Sequence, residues 1–318
     1  MRYLHFGALL ITTFGIAHSA AAANTYKVNP MGLAYRSTAN VAQYGQPSGM
    51  IITGRCNRYD AAFAAARANG AEILAYLNPV EVGDRSPCAL DDGFYMGERK
   101  SVPLWPFPSY GARTNYPDNQ LADLRSNSAW SNYVVAYVEK LMREDRVDGV
   151  LLDVVGARLW SSLANWDSWP RWEKDEWTDG CVDLVRRLDA ARRAINPRFI
   201  IVNNNTWSRG SSDLRGNAGE QYVDGVMLEH QPSTSAFNVA YAGRPFGNLG
   251  HRRVLVIGRS TAEARLWKDV HGVTHVSDQA SYGSVTPPPV SFNRLLDRPR
   301  IMGHGNGGAV SPSGVRAD

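Results

Sequence analysis

Three observations predict an α/β fold, a single-domain (β/α)8 TIM barrel. First, apolar runs of strand length recur eight times, with helical patterns between most of them. Second, the chain has 318 residues, 44% of them hydrophobic and 20% charged. That is enough for a barrel of roughly 250 residues with appendages. Third, one motif occurs twice: Val147-Asp148-Gly149-Val150-Leu151-Leu152-Asp153 returns as Val223-Asp224-Gly225-Val226-Met227-Leu228-Glu229. Each copy reads as a buried parallel strand, almost continuously apolar because helices cover it. Each ends on a carboxylate, which seldom closes a buried strand without work to do. A doubly wound open sheet is the alternative. It ranks lower because no Gly-rich phosphate or dinucleotide fingerprint follows any strand.

The elements follow in order. Strands are expected at Met31–Arg36, at Gly49–Thr53 with its Met-Ile-Ile core, and at Ile73–Asn78. Between the last two, Tyr59–Asn69 is Ala-rich and helical, and Gly70 stops it at the C′ position. The stretch Pro79–Asp118 is long, irregular and rich in Gly, Pro and aromatics, and loops of that length are usually functional. Ala129–Glu144 carries Trp130, Tyr133, Val134, Tyr137, Val138 and Leu141 at helical spacing. The fourth strand is Val147–Val154. A helix from about Glu173 to Ile195 is ended by Asn196-Pro197. Phe199–Asn203 is the fifth strand, Ser211–Glu220 a weaker helix and Val223–Leu228 the sixth strand. Val254–Gly258, a helix over Ala262–Val270 and Val273–Val276 complete the barrel.

The ends read differently from the middle. Arg2, the apolar run Phe6–Ile16 and the small residues Ala20–Ala23 predict a secretory signal over 1–23. The barrel then occupies 24–283, and 284–318 is a Pro/Gly-rich, disordered tail opened by Thr286-Pro287-Pro288-Pro289. The expected location is therefore secreted or periplasmic, with no membrane span, because no run approaches the ~20 apolar residues a span requires. Three cysteines leave one over. Cys56 and Cys88 follow successive strands and could form a disulfide in an oxidising compartment, while Cys181 reads as a small buried apolar residue. Net charge is +4 with a sequence pI of about 9.0. The basic residues are scattered Arg, which argues against a nucleic-acid groove. Oligomeric state is not readable; a monomer is the default.

The barrel gives the two carboxylates a joint meaning. Asp153 and Glu229 are 76 residues apart, two strand–helix units. They would close the fourth and sixth strands at the C-terminal mouth, where barrel active sites lie, and alternate strands feed the same interior layer. Strands ~4.8 Å apart put the two backbones roughly 9 Å apart, with the inward carboxyls closer. That falls in the ~5 to 9.5 Å range of paired-carboxylate glycosidases without separating retaining from inverting geometry. One carboxyl would donate a proton to the leaving oxygen; the other would attack the anomeric carbon or activate water. Two carboxyls in one desolvated mouth have their pKa values pushed apart. Glu229 is assigned as acid/base and Asp153 as nucleophile or base, an assignment that could exchange. The competing view is that both carboxylates cap loops or pair with Arg.

Asp148-Gly149-Val150-Leu151-Leu152-Asp153, preceded by Leu121-Ala122-Asp123-Leu124-Arg125 and a helix, resembles the endo-α-1,4-polygalactosaminidase family of glycoside hydrolases and related TIM-barrel proteins. Ala75-Tyr76-Leu77-Asn78 and Leu228-Glu229 fit the same pattern, and the resemblance spans roughly Met31 to Gln279. It implies a catalytic pair of Asp153 and Glu229, with Tyr76, Asn78 and Asp123 near the substrate. The sequence departs from the family where Val154-Val155-Gly156 replaces a polar Asn and a further Asp, and where Leu121 replaces Trp. These departures bear on the polygalactosamine substrate more than on the hydrolase reading.

Other residues fall near the expected mouth. Asn203-Asn204-Asn205 closes the fifth strand. Amides suit sugar hydroxyls, and Asn203 and Asn205 are favoured as one inward face, with turn chemistry the alternative. Trp207 could stack on a sugar. Trp160, Trp166, Trp169, Trp172 and Trp177 follow the fourth strand, most of them as core, some as a sugar platform. His230 adjoins Glu229. Arg36, Arg259 and Asp278 close the first, seventh and eighth strands, as substrate contacts or ion pairs. No cofactor is expected. No metal is expected either, since no H-E-x-x-H or paired-Cys spacing occurs, and no Gly-x-Ser-x-Gly elbow is present. The expected partner is a polysaccharide. A non-catalytic carbohydrate-binding barrel is the second hypothesis and a metal-dependent hydrolase the third.

Overall fold

The structure is a computed structural model that describes residues 28–34, 41–54, 58–82, 104–107, 120–159, 166–204, 219–229, 253–257, 261–267 and 273–277. The expected signal, the tail, Cys56, Cys88 and most of the expected helix at Ser211–Glu220 lie outside these residues.

Eight parallel strands close into one barrel. They are β1 (Asn29–Ala34), β2 (Met50–Gly54), β3 (Glu72–Leu77), β6 (Gly149–Asp153), β7 (Ile200–Asn204), β8 (Gly225–Glu229), β9 (Arg253–Ile257) and β10 (His275–Ser277). The numbering counts a small antiparallel pair, β4 (Glu81–Val82) with β5 (Gln120–Leu121), that the sequence did not announce. Five helices are described: α1 (Val41–Tyr44), α2 (Ala61–Ala68), α3 (Ala129–Glu144), α4 (Arg171–Ile195) and α5 (Thr261–Leu266). The expected (β/α)8 barrel is therefore the observed fold. Among the described residues no helix is long and apolar enough to cross a membrane.

Boundaries follow local chemistry. Asp60 caps α2, accepting from Ala62 N at 2.9 Å, and Gly70 beyond its end takes φ 93°, a conformation glycine enters without a Cβ penalty. Ser128 caps α3 through Ser131 N at 3.0 Å. α4 starts at Arg171, two residues before the expected Glu173, because Pro170 suits the edge of a first turn.

Two apolar layers hold the barrel. Inside it, Met31, Ile52, Leu74, Leu151, Val202, Met227 and Leu255 meet. Between strands and helices, Ile73, Val150, Leu152 and Ile201 pack against Trp130, Val138, Leu184 and Leu188. Inner and outer residues alternate along each strand.

The Asp-Gly that opens each copy of the repeat locks the N-terminal end of the barrel. Asp148 Oδ2 accepts from Ile73 N at 2.8 Å, and Asp148 N donates to Ile73 O at 2.7 Å. Arg67 of α2 binds its other oxygen, at 2.9 Å from Nη2. The second copy repeats this. Asp224 Oδ2 accepts from Ile201 N at 2.7 Å, Asp224 N donates to Ile201 O at 2.7 Å, and Arg192 of α4 pairs with the carboxylate. In both copies the preceding barrel strand supplies the N–H, and the helix that leads into that strand supplies the Arg. The next residue must be Gly, since a Cβ at Gly149 or Gly225 would run into the carbonyl oxygen of Ile200 or Arg253 on the following strand.

Burial separates the two locks. The Arg192 side chain is 0% exposed, whereas that of Arg67 is 26% exposed. Removing Asp224 strips Arg192 of one of its buried carboxylates, leaving Asp189 at 2.7 Å, and takes the acceptor from the Ile201 N–H. Breaking a buried pair costs about 3–5 kcal/mol, while a hydrated Arg is left far less stranded. Asp224→Ala is therefore expected to destabilise by about 3 kcal/mol or more, and Asp148→Ala by about 1–2 kcal/mol. Urea titration of the two variants checks the order, and equal losses would refute the burial argument.

Candidate active site

β6, β7 and β8 are neighbours in the barrel. Their last residues are Asp153, Asn204 and Glu229. Leu151, Val202 and Met227, two positions earlier on each strand, face the interior, so strand alternation turns all three end residues inward.

The side chains meet. Asn204 Nδ2 donates to Asp153 Oδ1 at 2.8 Å and to Glu229 Oε1 at 2.7 Å. Those two distances cap the separation of the carboxylate oxygens at 5.5 Å, and the angle between a trigonal amide's two N–H bonds sets it near ~4.8 Å. Asp153 Oδ1 also accepts from Val154 N at 2.9 Å. Its Oδ2 accepts from the Tyr76 hydroxyl, presented by β3. Asp153 is buried and Glu229 half-buried.

Burial pushes the Asp153 carboxyl above its usual range, against the hydrogen bonds from Tyr76, Asn204 and Val154 that favour the anion. The backbone beside it is strained. Val154 has φ 63°, a left-handed conformation that a β-branched residue rarely takes and that costs of order 1–3 kcal/mol. In this turn the Val154 N–H points back at the carboxylate it follows.

The remaining expected residues divide. Tyr76 stands in the barrel with its hydroxyl on Asp153. Asn78 is buried, and its Oδ1 accepts from Val80 N at 3.1 Å and Glu81 N at 3.0 Å, which shapes the turn after β3. Asp123 is paired with Arg125 at 2.8 Å and also accepts from Arg125 N. The inward face expected for Asn203 is corrected. It lies on the helix-facing side, bonded through Nδ2 to Val155 O at 3.0 Å, and Asn204 takes the inward position. The run Ile200-Ile201-Val202 is apolar on both faces, so sequence could not set the phase. Arg36, Asn205, Trp207, His230, Arg259, Asp278 and Trp160 lie outside the described residues. Trp166, Trp169 and Trp177 are buried as core, and Trp172 is 51% exposed. Cys181 is buried as expected, its thiol pushed up to about 12. Among the described residues no three His, Cys, Asp or Glu side chains gather as a metal site.

No family model and no curated protein matches this chain. Solved structures do. A variant of the glycoside hydrolase domain of PelA from Pseudomonas aeruginosa is 12% identical, with 79% of this chain and 93% of that one covered and a TM-score of 0.48. Ega3 of Aspergillus fumigatus, in complex with galactosamine, is 13% identical over 76% of this chain and 80% of that one, with a TM-score of 0.46. Alpha-L-fucosidase isoenzyme 2 of Paenibacillus thiaminolyticus is 15% identical over 73% and 40%, with a TM-score of 0.45. Likeness at this level says nothing of what this chain binds or cleaves.

The raised Asp153 carboxyl has a stability consequence. Its folded pKa lies above the unfolded value of ~3.9, so the native state holds more protons between the two. Its contribution to stability is whole below the unfolded value and is lost as pH rises through the folded one. Asn at this position escapes that loss. Asp153→Asn is expected to melt above wild type at pH 7, with the gap closing towards about pH 3.5. Thermal melts across this range measure it; a gap independent of pH would contradict the burial effect.

Proposed function

We propose that this protein is a glycoside hydrolase that cleaves a polysaccharide by double displacement at Asp153 and Glu229. One observation carries the proposal: a single amide, Asn204, hydrogen-bonds both carboxylates. Oxygens so close match the ~5–5.5 Å spacing of retaining glycosidases better than the ~6.5–9.5 Å that leaves room for water in inverting ones.

The roles follow from the surroundings. Asp153 is aimed by three donors, none of them a cation. Burial makes it more basic, and a poorly solvated, oriented carboxylate is a better nucleophile. Glu229 is nearer solvent and has the longer arm, which suits a proton carrier. In the first step an Asp153 oxygen bonds to the anomeric carbon, the glycosidic C–O bond breaks with its electron pair going to the leaving oxygen, and Glu229 protonates that oxygen. In the second, Glu229 takes a proton from water, the water oxygen bonds to the anomeric carbon, and the Asp153 ester bond breaks to restore the carboxylate.

The substrate is an exported or cell-surface polymer, and the motif resemblance makes an amino-sugar polymer the first to try. Its contacts are proposed among Tyr76, Asn78 and Asp123 and, by position after the strands, Arg36, Asn205, Trp207, His230, Arg259 and Asp278. The site of action is secreted or periplasmic.

Assay of purified protein against acidic, neutral and amino-sugar polymers is expected to show cleavage, with each of Asp153→Asn and Glu229→Gln slower by about 100-fold or more. Early-time NMR should show the product with the anomeric configuration of the substrate. An active wild type that keeps most of its rate in either variant, or an inverted product, would sink the mechanism.

A further inference from the structure

We propose that Asn204 is a positioning residue that ties Asp153 and Glu229 into one unit by hydrogen-bonding one oxygen of each, which directs attack to Asp153 Oδ2 and the proton to Glu229 Oε2. The proposal deepens the hydrolase reading and rests on it for the reaction, but its geometric part stands alone.

The first argument is the saturation of Asp153 Oδ1. That oxygen offers two lone pairs. The Val154 N–H at 2.9 Å and the Asn204 N–H at 2.8 Å take both. Neither a proton nor a carbon can then bond there without displacing a donor. The other oxygen, Oδ2, accepts the Tyr76 hydroxyl and keeps a lone pair for the anomeric carbon. On Glu229 the Asn204 N–H sits at Oε1, at 2.7 Å. A carboxylic acid accepts an N–H better at its carbonyl oxygen than at its hydroxyl oxygen, so the proton is directed to Oε2.

The second argument is the choice of side chain. The position needs two donors on one nitrogen, no charge and a short arm. A hydroxyl has one hydrogen and could serve only one carboxylate. Arg or Lys would stabilise both as anions and deprive the pair of its acid. Asn meets all three requirements.

The third argument is the mounting. Asn204 ends the strand between those of Asp153 and Glu229, in register with Asp153. The bridge therefore spans three consecutive strands, so both carboxyls are referred to one rigid point.

The test uses protein labelled with ¹³C at the Asp and Glu carboxyls, with Asp153→Asn and Glu229→Gln spectra to assign the two signals. In Asn204→Ala the Asp153 midpoint is expected to rise by about one pH unit, since a donor to its anion is gone. Asn204→Ser, with one donor, should shift it less, and serves as the test if the Ala variant does not fold. With a cleavable polymer, kcat of Asn204→Ala should fall about 100-fold with KM little changed, and the acid limb of kcat/KM should move up with the NMR midpoint. An Asp153 midpoint unmoved in a folded variant overturns the proposal. If wild type cleaves nothing, the hydrolase reading fails while the titration still decides whether Asn204 holds the pair.

Discussion

The barrel depends on a carboxylate placed where two of its strands begin. Asp148 and Asp224 each bind the backbone of the preceding barrel strand in both directions and an Arg from the helix that leads into that strand. One side chain thus clamps three elements: its own strand, the barrel strand before it and the helix that leads into that earlier strand. The N–H that each accepts would otherwise be an unpaired donor at the start of a strand, in a place too buried for water to serve it well. The glycine that follows lets the next strand approach closely enough to continue the ladder. Asp and Gly are thus one requirement expressed over two residues.

The same clamp bears on the mouth. In both copies the carboxylate that ends the strand lies five positions after the base Asp, Asp153 after Asp148 and Glu229 after Asp224. A strand rises ~3.3 Å per residue, so each anchor fixes its mouth carboxylate at the same distance of ~16 Å. Two strands held alike at the bottom present alike at the top. Asn204, between them, then finds both carboxylates within reach of one nitrogen.

Much of this was legible in the sequence, for reasons that differ by residue. The repeat, the helix at Ala129–Glu144 and the stop at Asn196-Pro197 rest on local chemistry and periodicity, which tertiary context did not override. The mouth carboxylates stood out because they end apolar runs. The role of the opening Asp-Gly is not legible in the same way, because its partners Arg67 and Arg192 lie 81 and 32 residues away, and no local pattern joins residues so distant. Asn204 was passed over for Asn203 and Asn205 for a different reason. A strand covered on both sides is apolar on both sides, so alternation, which sets phase in a half-exposed strand, is silent here. The phase of β7 is visible only once Val202 is seen inside the barrel. The β4–β5 pair was missed because two-residue strands carry no periodicity at all.

The contrast between the two ends of the strands is itself an argument about function. At the base, carboxylates meet cations. At the mouth, Asp153 is buried with no cation paired to it among the described residues, its carboxyl is driven above its usual range, and Val154 beside it is held at φ 63°. Folding alone would favour neither feature: an Asn at 153 or a Gly at 154 would relieve one or the other. Local rules broken together at one point, with the rest of the barrel built to hold that point still, fit the nucleophile role proposed for Asp153. Asp148 and Asp224, at the other end of the same strands, are each given an Arg instead.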